Sequence, residues 1–381
     1  MKSIMQRSLA IVLTCAALIF LPGCWDYEAI NKRAAMIGLG IDPAHDDPEK
    51  IRVTIQVPIL HNGQSQGEGS AETSKFQDLS GESYSLMEAI RTIQTKMDRQ
   101  ADVAQLRVIV LSSQLSGETM DSVLGQLMRL TKINRLAYIF MTPGSAEKVM
   151  ATEVSESAPM NFVEKSVKVK QHGYVVRRQL WEYWRDTTQL GVVPMIPILT
   201  TEEIDDKGKK TLAMTGEEVY LNNKPALALS RNETLYVNLL MGKVRDMSFD
   251  IPIGQGVMTL TDMRAKSHVR CIKKKSEVVL ADDVTVAGTL AKHVDPSPKP
   301  LPPTNINELQ LQASIYLTQQ LTDMVVKLQQ QQTDVVGFGR NYLQAHPEEE
   351  ARLKQQWSQM FGHAKLDIQV KVAIRSKGGL I

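Results

Sequence analysis

The sequence predicts an α+β, multidomain protein: a mixed α/β N-terminal region, then a β-rich region, then a helical C-terminal region ending in a strand. Three observations predict it. Over 74–150 the pattern runs strand–helix–strand–helix–strand, with short apolar runs between segments of helical period. Beyond 211, short apolar strands follow one another. From Leu309 a long stretch keeps one apolar face at helical spacing, and the chain closes on Leu366, Ile368, Val370, Val372 and Ile374 alternating with more polar residues.

Taken in order, 34–41 (AAMIGLGI) reads as a buried strand and 51–60 (IRVTIQVPIL) as a second. Residues 61–70, rich in Gly, Gln and Ser, read as a loop. Ser85 and Glu88 make a capping-box pattern. It precedes Leu86, Ile90, Ile93 and Met97 at helical spacing. Residues 106–111 (LRVIVL) and 136–141 (LAYIFM) are strands flanking a helix marked by Met120, Val123, Leu124, Leu127 and Met128; Ser145 caps a short helix to Met150. The two prolines in 191–199 (GVVPMIPIL) argue for an extended crossing. A polar turn at 205–210 reads as a domain boundary, dividing 24–203 from 211–381. Strands follow at 211–221, 257–260, 268–272 and 284–290. The stiff stretch 296–303 (PSPKPLPP) is a linker or a long exposed loop, and a further division of the second domain falls near 296–305. In the tail, Leu309, Ala313, Tyr316, Leu317, Leu321, Met324, Val325 and Leu328 form a helix face, Gly337 and Gly339 break the pattern, and a further helix runs over 348–360.

Composition narrows the function. A formal net charge of +2 over 381 residues is nearly balanced and argues against nucleic acid. The apolar fraction of 43% is that of a globular protein. The start of the chain is not part of that globule. Lys2 and Arg7 give a positive beginning, and 9–21 is apolar but too short to span a bilayer. Leu21-Pro22-Gly23-Cys24 then resembles the lipobox of bacterial lipoproteins, although Pro22 is not the usual small residue there. Residues 1–23 are expected to be a cleaved signal peptide, with Cys24 the lipid attachment site on the outer face of the cell membrane. No other stretch is apolar enough to cross, so the domains are expected to be peripheral. Of the three cysteines only Cys271 remains, and its strand context makes it a buried small hydrophobe.

The residues behind Cys24 carry a family resemblance. Cys24-Trp25-Asp26, Ile30, Ala34 and Gly38-Leu39-Gly40-Ile41-Asp42 follow one another as in the Ger(x)C family, the lipoprotein C subunits of spore germinant receptors. The likeness continues through 53–57, 106–110, the proline-bearing segment at 191–197, and Asp334-Val335-Val336-Gly337-Phe338-Gly339 with Trp357 downstream. Ala29 stands where the family usually has glutamate, and 296–303 reads as an insertion. The resemblance implies a subunit standing with two integral membrane partners, the A and B subunits, in the spore inner membrane. Such a receptor responds to nutrients and triggers ion release and germination.

Chemical motifs are sparse. Gly38-x-Gly40 lacks the third glycine and the following helix of a dinucleotide site, and the loop with Gly63, Gly67 and Gly69 lacks the Lys-Ser/Thr pair of a phosphate loop. The seven histidines are scattered. No catalytic, cofactor or metal residue is assigned, and an enzyme is not expected. Arg270 with Lys273, Lys274 and Lys275 reads first as a lysine-guarded strand edge and second as a contact for anionic headgroups. Trp25 and Tyr27 either sit at the membrane boundary or pack on the first domain. The glutamine-rich side of the helix over 306–332 reads as solvated. A receptor subunit acting as a scaffold is the first functional reading; a solute-binding lipoprotein is the second, weakened because its two lobes should be alike and these halves are not.

Overall fold

The computed structural model describes residues 32–47, 49–59, 76–154, 157–169, 173–206, 208–221, 224–254, 256–274, 277–294 and 305–376. Cys24, Trp25, Asp26, Tyr27, the loop at 61–70, Lys275 and the 296–303 stretch lie outside them. The architecture is α+β, as expected, and is built on two large sheets.

The first is an eight-stranded mixed sheet. Its strands are β2 (Gly38–Pro43), β3 (Ile51–Pro58), β4 (Phe76–Ser83), β6 (Val108–Ser112), β7 (Tyr138–Thr142), β8 (Met195–Glu203), β9 (Lys210–Leu221) and β10 (Lys224–Ser230), in the order β10-β9-β8-β7-β6-β2-β3-β4. The centre, β2-β6-β7-β8, is parallel; both flanks are antiparallel. Successive side chains of a strand point to opposite faces, and here both faces are covered. Ile109, Leu111, Ile139 and Met141 join one core with helices α1 (Leu86–Gln94), α2 (Gly117–Arg129) and α5 (Leu180–Thr188). Val108, Val110 and Phe140 join another with α3 (Ala146–Met150) and α4 (Pro159–Lys168). Double burial explains why β6 and β7 read as unbroken apolar runs.

The segment 34–41 is two strands, not one. β1 (Arg33–Ala35) pairs in parallel with β5 (Gln100–Asp102) in a separate two-stranded sheet, and β2 enters the large one. The step occurs at Met36, whose N–H donates to Asp102, and Ile37, whose N–H donates to Gln56. The polar turn at 205–210 is the tip of the β8–β9 hairpin, so the sheet continues across it. Likewise, much of the proline-bearing stretch 191–199 is strand, because Pro197 lies on β8.

The second sheet contains β11 (Arg245–Ile253), β12 (Gly256–Lys266), β13 (Val269–Lys274), β14 (Glu277–Val294) and β15 (Lys365–Ser376). β12 and β13 succeed one another along the same side of β14, and β15 runs parallel to β14 on the other. Inward residues such as Phe249, Ile251, Leu280 and Val372 form one core with α6 (Arg231–Leu240), α7 (Ile306–Gln330), α8 (Phe338–Ala345) and α9 (Glu350–His363). Met195, Val219 and Leu229, from the far end of the first sheet, join this core too. The two regions therefore share a seam of apolar side chains.

α7 also closes an edge. The N–H groups of Val370, Val372 and Ile374 on β15 donate to Thr318 Oγ1 (3.1 Å), Ser314 Oγ (2.9 Å) and Gln310 Oε1 (2.8 Å). Four-residue spacing places these acceptors in one row on the helix. Gln329 further donates to the carbonyls of Phe361 and Ala364. Gln310 and Gln329, read as part of a solvated stripe, are thus structural.

Candidate functional site

A Cβ on Gly38 would lie 2.4 Å from Met160 Cγ, and one on Gly40 2.5 Å from Met150 Sδ, so both glycines let α3 and α4 press onto β2. Asp42, at the end of that strand, accepts from the N–H groups of Ala146 (2.7 Å) and Glu147 (2.9 Å) and caps α3. Burial pushes its pKa up, and these donors pull the other way.

The second motif group forms an interlock between the two regions. Asp334 is buried; its carboxylate accepts from the N–H groups of Gly337 (2.8 Å), Phe338 (3.1 Å) and Gly339 (2.8 Å) and from Trp357 Nε1 (3.1 Å). Burial raises its pKa to about 6 against those four donors. Gly337 and Gly339, which break the helical pattern in the sequence, start a helix in the fold, because the Asp334 carboxylate satisfies the open N–H groups of α8. Across the seam, Arg340 N donates to Gly191 O (2.8 Å) and Val193 N to Asp334 O (2.8 Å). Gly191 has φ +75°, and a Cβ there would fall 2.2 Å from the Gly339 carbonyl carbon. Only two glycines allow this approach.

Beside the interlock lies a cleft of about 550 Å³. Arg185 and Gln189 belong to the α5 end of the N-terminal region, Lys243 to the turn between α6 and β11, His268 to the β12–β13 link, and Arg340 and Asn341 to α8. The walls are fixed. Gly242, with φ +63°, presses the Lys243 turn onto the link, where a Cβ would sit 2.9 Å from Ser267 N. Asp282 anchors that link by accepting from Ser267 Oγ (2.8 Å) and His268 N (3.1 Å). Arg185 pairs with Asp186 at 2.6 Å, a carboxylate that it shares with Arg178. Lys243 lies in the concave wall with its side chain reaching solvent: desolvation, with the Arg178 charge acting in the same sense, pushes its pKa down, and the Glu182 and Asp186 carboxylates pull the other way.

Behind the cleft, Arg178 Nη1 meets Asp186 Oδ2 at 2.7 Å with both side chains buried. Glu217 on β9 accepts from Val176 N at 2.7 Å, and its other carboxylate oxygen has no hydrogen-bond partner. Desolvation raises its pKa to about 8, so it holds a proton at neutral pH.

Of the remaining candidates, Arg270 pairs with Asp283, and Lys273 with Glu349 at 2.7 Å. Both charges are engaged within the fold, and α8 flanks β13, with Asn341 Oδ1 accepting from Cys271 N (3.2 Å). Cys271 is buried as expected, and burial lifts its thiol to about 12. Among the described residues no cluster of three metal-ligating side chains occurs. The motif ending at Gly339 adjoins Arg340, but the cleft has no continuous trace in the sequence, since its residues come from four separated segments.

Comparisons with known proteins agree with this arrangement. Residues 26–201 match the family described as "Spore germination protein N-terminal domain", and residues 219–378 the family described as "Spore germination B3/ GerAC like, C-terminal". Among relatives from Bacillus subtilis (strain 168), the putative spore germination protein YfkR is 20% identical over 399 residues, spanning 100% of this chain and 98% of its own length. Spore germination protein KC is 22% identical over 98% of this chain and 96% of its own, and spore germination protein B3 is 24% identical over 93% and 94%. In three dimensions the crystal structure of the GerBC protein shares the fold, with a TM-score of 0.54 and 18% identity over 89% of this chain and 97% of that one. Family motifs matched in order and a shared fold lead to one conclusion: the chain belongs to the Ger(x)C family of spore germination proteins.

Proposed function

We propose that this chain is the lipid-anchored C subunit of a nutrient germinant receptor, held at the spore inner membrane through Cys24 and docked on the integral A and B subunits. The observation that carries this reading is the ordered match to both spore germination families, beginning two residues beyond Cys24. No described helix is long and apolar enough to cross a membrane, and in this reading attachment rests on Cys24. A single acyl chain binds a bilayer only marginally, so stable residence needs further chains or partner contacts. Confinement to the surface raises the effective concentration of those contacts. The subunit works by assembly rather than catalysis. In support, Gly38, Gly40, Asp42, Gly191, Asp334 and Trp357 act in internal packing and capping, where they hold a rigid shape.

The test is nutrient-triggered germination of spores carrying Cys24→Ala, beside wild type and a deletion, with protein level and membrane fractionation measured in each. Loss of the variant from the membrane together with deletion-like germination supports both the anchor and the receptor role. Normal germination of the deletion strain with every nutrient, in a strain lacking sister receptors, overturns the receptor reading.

A further inference from the structure

The cleft beside the interlock holds an unusual balance of charge. It is lined by Lys243, Arg340, His268 and Arg185, with no aspartate or glutamate among the lining residues. Arg185 is already matched by Asp186. Lys243 and Arg340 have no direct partner: among the described residues neither side chain makes an ion pair or a hydrogen bond, and the Glu182 and Asp186 carboxylates reach Lys243 only through space, opposing the repulsion from Arg178 and the smaller one from Arg340. Elsewhere in the fold Arg52, Arg107, Arg264, Lys273 and Lys327 have carboxylate partners. Two cations facing one cleft without a directly bonded carboxylate leave room for an anion to relieve their repulsion.

The surroundings are built for such a ligand. Arg340 is fixed at its backbone by Gly191, and Lys243 N donates to Asn238 O at 2.9 Å. The Asn341 side chain uses its oxygen on Cys271 N, so its free end is the NH₂ donor. The volume of about 550 Å³ is that of a small-molecule site. Val336, Val269 and Met241 supply the apolar part of a mostly polar lining.

We propose that this cleft binds a small carboxylate- or phosphate-bearing molecule, with Lys243 and Arg340 contacting its anionic group and the bound molecule tying α5 to α8 across the seam. The inference stands on the cleft alone and does not depend on the receptor reading. An ammonium and a guanidinium both recognise oxyanions, and the planar guanidinium adds bidentate geometry. Binding stabilises the folded chain by mass action and weakens as salt screens the pair. It also draws a proton onto Lys243, so affinity falls as pH rises above neutrality.

The experiment uses the full chain in a neutral detergent. Melting temperature and calorimetric heat are followed during titration with inorganic phosphate, glycerol 1-phosphate, succinate, and succinamide as the neutral control. A saturable rise with at least one anion and none with succinamide is expected. Arg340→Gln and Lys243→Gln should each weaken that response about tenfold, and Lys371→Gln, on the exposed side of β15, should leave it unchanged. Unliganded melting temperatures show that the variants fold. A preference for glycerol 1-phosphate over phosphate points to a lipid headgroup, and a preference for succinate to a soluble carboxylate. No saturable response to any anion, or an equal response in the Arg340→Gln/Lys243→Gln double variant, overturns the site.

Discussion

The two large sheets solve burial differently. The N-terminal sheet is covered on both faces, so consecutive residues of its central strands are all inside: Val108, Ile109, Val110 and Leu111 are each fully buried. The C-terminal sheet is covered on one face. Along β11, Met247, Phe249, Ile251 and Ile253 point inward, and Ser248, Asp250 and Pro252 face solvent. A strand's tolerance of polar substitution follows from how many layers lie around it, not from its own composition. Between the sheets lies the seam, where Asp334 serves both regions.

The strongest way to break this picture is at the seam. Asp334→Ala strands three backbone N–H groups and an indole N–H in the interior; at 1–3 kcal/mol for each unsatisfied group, partly relieved by relaxation, about 4 kcal/mol of destabilisation is expected. Urea denaturation of the full chain measures it. Because the core is continuous through Met195, Val219 and Leu229, the transition should shift as a whole. A loss under about 1 kcal/mol, or a separate unshifted transition for the N-terminal sheet, would show that the regions are energetically independent.

A smaller effect sharpens the contrast of layers. Threonine in place of Ile109 or Val110 should cost about 2 kcal/mol at either position, since both place a hydroxyl in a core. On β11 the cost should alternate: about 2 kcal/mol for Ile251→Thr and within about 0.5 kcal/mol for Asp250→Thr. Equal costs at 250 and 251 would contradict a solvated face.

The smallest expected effect concerns the proton on Glu217. Its folded pKa is about 8 against an ordinary 4.5, so between those values the folded chain holds a proton that the unfolded chain releases. Stability therefore falls as pH rises through that window and levels off above it. Asp78, Asp282 and Asp334 shift the same way but titrate near 6, and Lys243, depressed to about 8, acts with the opposite sign from there upward, so the Glu217 contribution is read as the difference from a Glu217 variant. Glu217→Gln should remove this group's share of the slope, so that its stability relative to wild type rises by about 1–2 kcal/mol between pH 7 and pH 9, read from melting temperatures. An unchanged slope would mean that the carboxyl is ionised in place.

Much of the N-terminal sheet was legible because double burial writes itself as apolar runs, and because Ser85 and Ser145 mark helix starts. The C-terminal tail was legible through the long face of α7 and the alternation of β15. Other elements were not. α6 (RNETLYVNLL) is buried almost all round, which erases its helical period, although the capping box of Ser230 and Glu233 was readable. β11 carries a clean alternation that its charges and Pro252 obscured. The interlock was half visible: its glycines, aspartate and tryptophan were picked out as a pattern, but the pairing of Gly191 with Gly339 is a product of the fold. The cleft left no local signal, since each of its cations comes from a different segment.

The shared core has a consequence for how the chain is made. Synthesis delivers the amino end first, and domains generally fold as they emerge. Met195, Val219 and Leu229 are complete on their own strands long before α7 exists to cover them. A chain halted after β10 would carry a greasy flank beside a strand edge, both invitations to self-association. The order of delivery thus makes the last third of the molecule a built-in escort for the first.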